Sequence, residues 1–279
     1  MPLDTQTYVD PKPVFQFLIR PDSILRADFS KVVPISEKSS TTDNGLVSVY
    51  RNGVLQGDMI AQGVGRYVLI GNSFKPRDSF LVYGSDGLFS FFVRGKVPSN
   101  ILINGIDTQT LLVPGIGPAY TMDVEFKDSA IDDNYYRIMV FRQFYEYKLD
   151  KNNQRIDSTL RSKRISIEGS ELPFIQNNFN NYNSSEILFT DATFNGTTPK
   201  FRIYSTEKLH ETAQFRTLKL DVVLENLEAP LYNFYNTRNA HIWQQQSISQ
   251  LPGTVLGNIT SGYGVSASYT QHRYTIVFK

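Results

Sequence analysis

Three histidines, His210, His241 and His272, are the residues best suited to acid–base or metal chemistry near neutral pH, and they lie far apart in the chain. None falls in a His-x-x-x-His or similar pair, so they read as isolated surface or loop histidines. The chain has no cysteine, which removes thiolate catalysis, zinc–cysteine sites and disulfides together. A zinc site built on the histidines would need carboxylate help. The densest group of oxygen ligands is Asp128, Asp132, Asp133 and Asn134. A hard cation such as calcium takes about six to eight oxygens. This spacing lacks the glycine and the terminal glutamate of a calcium loop, and the segment reads as a hydrated turn. There is no Gly-x-Ser-x-Gly elbow and no phosphate-binding loop. Gly115-Ile116-Gly117 runs into a proline instead of a helix and reads as a linker. Paired carboxylates for glycoside cleavage stay open, because their pairing is spatial. We therefore assign no catalytic, cofactor-binding or metal-binding residue and expect neither an enzymatic activity nor a cofactor.

Residues suited to recognition are equally sparse. Lys and Arg number 28 against 27 Asp and Glu, a formal charge of +1. That balance argues against nucleic acid, whose binders carry a basic excess or stripe. Arg155, Arg161, Lys163 and Arg164 form the one local basic run and read as a solvated strand and loop edge. Trp243, followed by Gln244, Gln245 and Gln246, is either tucked against a loop or an exposed anchor for a partner or sugar. Tyr135, Tyr136, Tyr232 and Tyr235 read as packing residues whose hydroxyls find buried partners. Asp191 and Asn195 read as caps of a hairpin turn. The triplets beginning at Asn183, Asn195 and Asn258 match the glycosylation pattern but arise easily in Asn-rich loops.

The elements that must position these residues are strands. In Tyr120–Lys127, Tyr120, Met122, Val124 and Phe126 alternate with Thr121, Asp123, Glu125 and Lys127, giving one buried and one wet face. Aromatics make up 13% of the chain, mostly Phe and Tyr, which suit a half-buried pleated surface. Arg51-Asn52-Gly53 between apolar runs predicts a hairpin, as does Ser85-Asp86-Gly87. Arg20-Pro21-Asp22-Ser23 separates two further strands. The first third thus reads as an immunoglobulin-like or transthyretin-like β-sandwich. The Pro- and Gly-rich stretch Leu112–Pro118 reads as a joint, giving residues 1–113 as one domain and 114–279 as a larger antiparallel β-sandwich. There, Phe189–Phe194 and Phe201–Tyr204 flank Asn195–Pro199 as a second turn, and Asn177–Ser185 is a loop. Leu231, Phe234, Tyr235, Arg238 and Ile242 keep helical spacing behind Pro230, predicting one amphipathic helix near 229–245. Ser247–Gly264 follows as a glycine-rich loop. The fold class is mainly β. No stretch approaches the roughly 20 apolar residues of a spanning helix. Met-Pro-Leu-Asp-Thr at the start shows no signal peptide, so the chain is either cytoplasmic or a mature form with its leader removed.

Four segments carry a resemblance. Asp133-Asn134-Tyr135-Tyr136-Arg137-Ile138 follows an acidic loop. Phe189-Thr190-Asp191-Ala192-Thr193-Phe194-Asn195-Gly196 is a Phe-x-Asp-x-x-Phe-x-Gly block. Leu218–Glu225 leads into Leu231-Tyr232-Asn233-Phe234-Tyr235. Pro252, Asn258-Ile259 and Gly262-Tyr263-Gly264-Val265 close the chain. In this order, together with Pro21-Asp22-Ser23 and Val47-Ser48-Val49-Tyr50, they resemble the Bacteroidetes envelope lipoproteins catalogued as domain of unknown function 4249. The resemblance implies an outer-membrane, lipid-anchored protein of the cell envelope, associated with TonB-dependent transporters, with no established activity and no catalytic residues to carry over. That family starts with a leader and an acylated cysteine, absent here; the simplest expectation is that both were trimmed and Met1 added. The function expected is thus a non-catalytic accessory or binding partner of a TonB-dependent outer-membrane transport system. The alternatives are a structural or adhesive surface protein and, less favoured, a carboxylate-dependent hydrolase. A small-molecule or glycan ligand is left unspecified.

Overall fold

The structure is a computed structural model that describes residues 12–32, 41–71, 73–113, 117–170, 185–209, 211–245, 254–260 and 262–278. It is mainly β, with antiparallel sheets in sandwich-like arrangement and, among the described residues, one α-helix. The chain divides into two compact units. Unit 1 comprises Met1–Pro98, Glu228–His241 and Gly253–Thr270; unit 2 comprises Ser99–Leu227, Ile242–Pro252 and Gln271–Lys279.

Unit 1 holds β1 (Pro13–Ile19), β2 (Leu25–Lys31), β3 (Leu46–Arg51), β4 (Val54–Asp58), β5 (Ile60–Gly63), β6 (Arg66–Leu69), β7 (Ser79–Ser85) and β8 (Ser90–Lys96). One sheet runs β4-β3-β7-β8; the other runs β1-β2-β6-β5 and receives the first half of β17 (Tyr263–Val277) beside β1. Strict alternation decides which faces meet. Phe15, Phe17, Ile19, Leu25, Ala27 and Phe29 point inward against Val47, Val49, Phe80, Val82, Phe91 and Val93. Phe15 alone packs against Phe17, Phe29 and Phe91. The β3–β4 turn puts Asn52 and Gly53 at φ 51° and 80°, the pair of positive angles a two-residue hairpin requires.

Unit 2 holds β9 (Leu102–Val113), β10 (Gly117–Lys127), β11 (Tyr135–Leu149), β12 (Arg155–Arg164), β13 (Glu168–Ser170), β14 (Glu186–Thr190), β15 (Lys200–Ser205) and β16 (Phe215–Leu227). The sheet β13-β15-β10-β9 faces one in which β11 is flanked by β16 on one side and by β14 and β12 on the other. The second half of β17 lies beside β16, with Phe278 N–H donating to the Leu218 carbonyl at 2.9 Å. Met122, Val124 and Phe126 fill the core with Tyr136, Ile138, Val140, Leu220 and Val222.

Three features depart from the sequence reading. Residues 114–116 lie outside the described residues, but β9 and β10 on either side pair antiparallel from Val113↔Gly117 onward. β9 and β10, on either side of the expected joint, thus belong to one antiparallel ladder within unit 2. Phe189–Phe194 does not stay extended, because β14 ends at Thr190 and residues 191–197 turn, with Phe194 N–H bonding the Asp191 carbonyl at 2.8 Å. β14 pairs with β11, not β15. The helix α1 (Ala229–Gln245) forms where its spacing predicts. Its apolar stripe is buried only at Leu231 and Tyr235, however, while Ile242 is 48% exposed. Residues 171–184 and 246–253 lie outside the described residues; they hold most of the Asn-rich loop, Asn183, and the start of the glycine-rich loop with Pro252.

Candidate functional site

The motif residues converge in unit 2 and face inward. β11 delivers Tyr136 into the core on an alternate position, so its hydroxyl reaches Asp128 at the end of β10 and donates to Asp128 Oδ1. The other carboxylate oxygen accepts the Gly196 N–H at 2.6 Å. Gly196 sits at φ +77°, and a Cβ there would lie 2.7 Å from the Ala130 Cβ, so both the turn and the close approach require glycine. Burial raises the Asp128 carboxyl, the Tyr136 and Gly196 hydrogen bonds pull it back, and the nearby charge of Asp191 pushes it up further. Burial also drives the Tyr136 hydroxyl far above its ordinary value, with the Asp128 contact adding to it.

A second set lies beside the first. Asp191 Oδ2 accepts the Asn134 N–H at 2.9 Å and its Nδ2 at 3.1 Å. The same Nδ2 bonds the carbonyls of Ser129 and Asp132. Asn134 Oδ1 accepts Asn226 Nδ2 at 3.0 Å, which also reaches the Ser99 carbonyl. Next along β11, Arg137 binds Glu225 at 2.6 Å and Glu186 at 3.5 Å, all three nearly buried. Asn134, Tyr136, Arg137, Asp191 and Gly196 thus join the starts and ends of β10, β11, β14 and β16. Each has a structural partner, and Asp128, Tyr136, Asn134 and Asp191 are nearly sealed from solvent. Asp132 enters this set through its backbone carbonyl. Among the described residues no three His, Asp or Glu side chains converge as a metal would need.

The other residues singled out by sequence are placed as follows. His272 Nδ1 accepts the Ile103 N–H at 3.2 Å, and burial lowers its basicity. His241 is half-buried on α1; His210 and the Trp243 side chain lie outside the described residues. Tyr235 is buried under Arg238, 4.8 Å from its ring centre, while Tyr135 and Tyr232 are half-buried. Asn195 is exposed on the turn after β14, and the amide of Asn258 is held by the Ser266 backbone. β12 is exposed along its whole length, yet its basic run is neutralised by this chain. Arg155 pairs with Glu211 at 2.7 Å, Arg161 with Glu146 at 3.0 Å, Lys163 with Glu207 at 2.6 Å and Arg164 with Glu186 at 3.2 Å. One carboxyl in unit 1 is unusual. Glu228 begins α1, its carbonyl accepting the N–H groups of Leu231 and Tyr232. Its carboxyl accepts Ser268 N–H and Oγ at 2.9 and 3.1 Å and the Lys96 N–H at 3.3 Å. Burial lifts it to about 7 against those hydrogen bonds.

An open feature is found on the outward face of the unit 1 sheet. A cleft of about 580 Å³ is walled by Gln16, Leu18 and Arg20 from β1 and its end, Arg26 and Asp28 from β2, and Tyr269 from β17. Register explains the grouping: Gln16 lies opposite Asp28, and Leu18 opposite Arg26. Tyr269 follows Ser268, the parallel partner of Ile19. The volume falls in the range of small-ligand pockets, about 300–1,000 Å³. Beyond the turn carrying Asp22, at φ 57°, lies a second hollow of about 340 Å³ reaching Gly71 and Ser73. Among the described residues Arg20, Asp22, Arg26 and Asp28 make no ion pair and no side-chain hydrogen bond. Sequence reasoning missed this site. The available signal was charge at alternate positions on both strands of the first hairpin, which on an ordinary sheet marks only the wet face.

Comparison with known proteins adds the following. No curated protein matches the chain. A solved structure described as "Biofilm associated protein - BSP domain" is aligned at 8% identity over 95% of this chain, with a TM-score of 0.18. At that score it carries no argument, and the match spans 59% of the length of that protein. The family model described as "Domain of unknown function (DUF4249)" matches residues 95–275. That stretch holds the buried motif residues and Tyr269 but not β1 or β2. The chain belongs to this family.

Proposed function

We propose that this member of the DUF4249 family is a non-catalytic component of the bacterial cell envelope, lipid-anchored at the outer membrane in its native form. It binds a ligand or partner in support of a TonB-dependent transport system. The single observation that carries the non-catalytic part is the state of the carboxylates. Asp128 and Asp191, the acids nearest to a catalytic pair, are buried and engaged by Tyr136, Gly196 and Asn134. Chemistry on a substrate needs acids and bases a substrate can reach. The open cleft of unit 1, with charged groups lacking internal partners, supports a binding role. The lipid anchor and the transporter come from the resemblance of the motif set to Bacteroidetes envelope lipoproteins.

Affinity capture from outer membranes of the native host, after crosslinking, tests the reading. Recovery of a TonB-dependent outer-membrane protein is the expected result. Recovery of matrix or of the chain itself alone replaces it with the adhesive alternative. Labelling with a clickable fatty acid, with the protein expressed from its native gene, tests the anchor separately.

A further inference from the structure

We propose that the outward cleft of unit 1 is a saccharide-binding site that takes a neutral, polyhydroxylated chain. The proposal deepens the binding role above and rests on it. Three observations lead to it.

First, the lining is rich in planar polar groups with free hydrogen-bonding capacity. Arg20 and Arg26 offer donors, Asp22 and Asp28 offer acceptors, and Gln16 offers both. Although opposite charges share one cleft, none is paired with another within 4.0 Å. The charges sum to zero across these four residues. An anion would engage the arginines and leave Asp22 and Asp28 facing it; a cation would do the reverse. Hydroxyl groups, each a donor and an acceptor, satisfy both kinds at once.

Second, the geometry is that of a platform with a rim. Leu18 and Arg26 are cross-strand partners, as are Gln16 and Asp28. Neighbouring pairs on one sheet face are spaced about 7 Å along the strands, so the two pairs reach separate hydroxyls of one bound saccharide. Tyr269, half-buried, forms one wall of the cleft.

Third, the backbone leaves no room for edge addition of a peptide strand. An extended peptide binds a sheet by adding to a free edge. Here β1 lies between β17 and β2, and β2 between β1 and β6, so no backbone edge is exposed in the cleft and recognition falls to side chains.

The test is titration of the isotopically labelled full chain, followed by nuclear magnetic resonance. The probes are short neutral oligomers of glucan, mannan, xylan and galactan, with oligogalacturonate and a polar hexapeptide as contrasts. At least one neutral oligomer should shift the amides of β1, the Arg20–Ser23 turn and β2, and the Nε–H signals of Arg20 and Arg26. Arg26→Ala and Asp28→Ala, both at exposed positions, should each weaken that binding about tenfold, the loss of a hydrogen bond to a charged group. Arg161→Ala should leave it unchanged. The proposal is overturned if no neutral oligomer moves these signals at millimolar concentration, or if only oligogalacturonate or only the peptide does. It is equally overturned if Arg26→Ala and Asp28→Ala bind as the parent does. Capture of a transporter is independent of these outcomes. Transporter recovery without sugar binding removes the saccharide and keeps the envelope role; sugar binding without a transporter does the opposite.

Discussion

Two polar regions of this protein are built in opposite ways. Around Asp128, Asn134 and Asp191 in unit 2, buried carboxylates and amides have partners within the chain, and the groups are held to strand ends by backbone N–H and carbonyl groups. On the outer face of unit 1, Arg20, Arg26, Asp22 and Asp28 stand in one open cleft without internal partners. The first region holds the Asp133–Ile138 and Phe189–Gly196 segments that made the sequence resemble a family; the second shares with that resemblance only the Asp22 turn. A recurring motif can therefore report how a fold is closed, while recognition occupies positions that look like any wet sheet face.

The contrast predicts a gradient of effects. Arg137→Ala takes the cation from Glu225 and leaves Glu186 with Arg164, and removing one partner of a nearly buried ion pair costs about 3–5 kcal/mol. Chemical denaturation should show that loss; a change under about 1 kcal/mol would place Arg137 among the solvated pairs. Tyr136→Phe removes the hydroxyl from buried Asp128 and should cost about 1–3 kcal/mol, with Asp128 moved further up in carbon-detected titration.

Glu228 gives a pH signature within unit 1. Its folded carboxyl titrates near 7 against an ordinary 4.5. The folded state therefore holds the extra proton between those values, and the stabilising contribution is full below about 4.5 and fades as pH rises through 7. Thermal melts should show stability falling across that window in the parent, with Glu228→Gln abolishing this part of the slope. A Glu228→Gln curve parallel to the parent's would show that Glu228 is not the titrating group. The smallest effects should come from Arg26→Ala and Arg161→Ala, each within about 0.5 kcal/mol, because exposed side chains and surface ion pairs contribute little. A large destabilisation by Arg26→Ala would erase the distinction between the two regions.

Much of the architecture was readable from local pattern. Alternation at Tyr120–Lys127, Asn52-Gly53 between apolar runs and helical spacing from Leu231 each rest on neighbours in sequence, and each formed. What could not be read depends on distant partners. Nothing near Asp128 announces that Gly196, 68 positions on, will supply its N–H. Phe189–Phe194, bounded by phenylalanines, reads as a strand before the Asn195-Gly196 turn, but Asp191 bonds Asn134 and the chain turns early. Leu112–Pro118 carries the residues of a linker, yet Val113 and Gly117 pair within one antiparallel ladder. The neutralised basic run was legible as a solvated edge from its composition, though its partners Glu146, Glu186, Glu207 and Glu211 were not.

The strand β17 divides its length between the units, Tyr263–Thr270 with unit 1 and the rest with unit 2. In unit 1 it lies parallel to β1, whose residues leave the ribosome nearly a whole chain earlier. Until translation delivers that neighbour, β1 presents a bare strand edge, the kind of surface that invites association with other nascent chains. Neither half of the molecule can complete itself as it emerges. Each unit is therefore completed only by the strand nearest the end of the chain, and a chain cut before Tyr263 lacks a neighbour for β1.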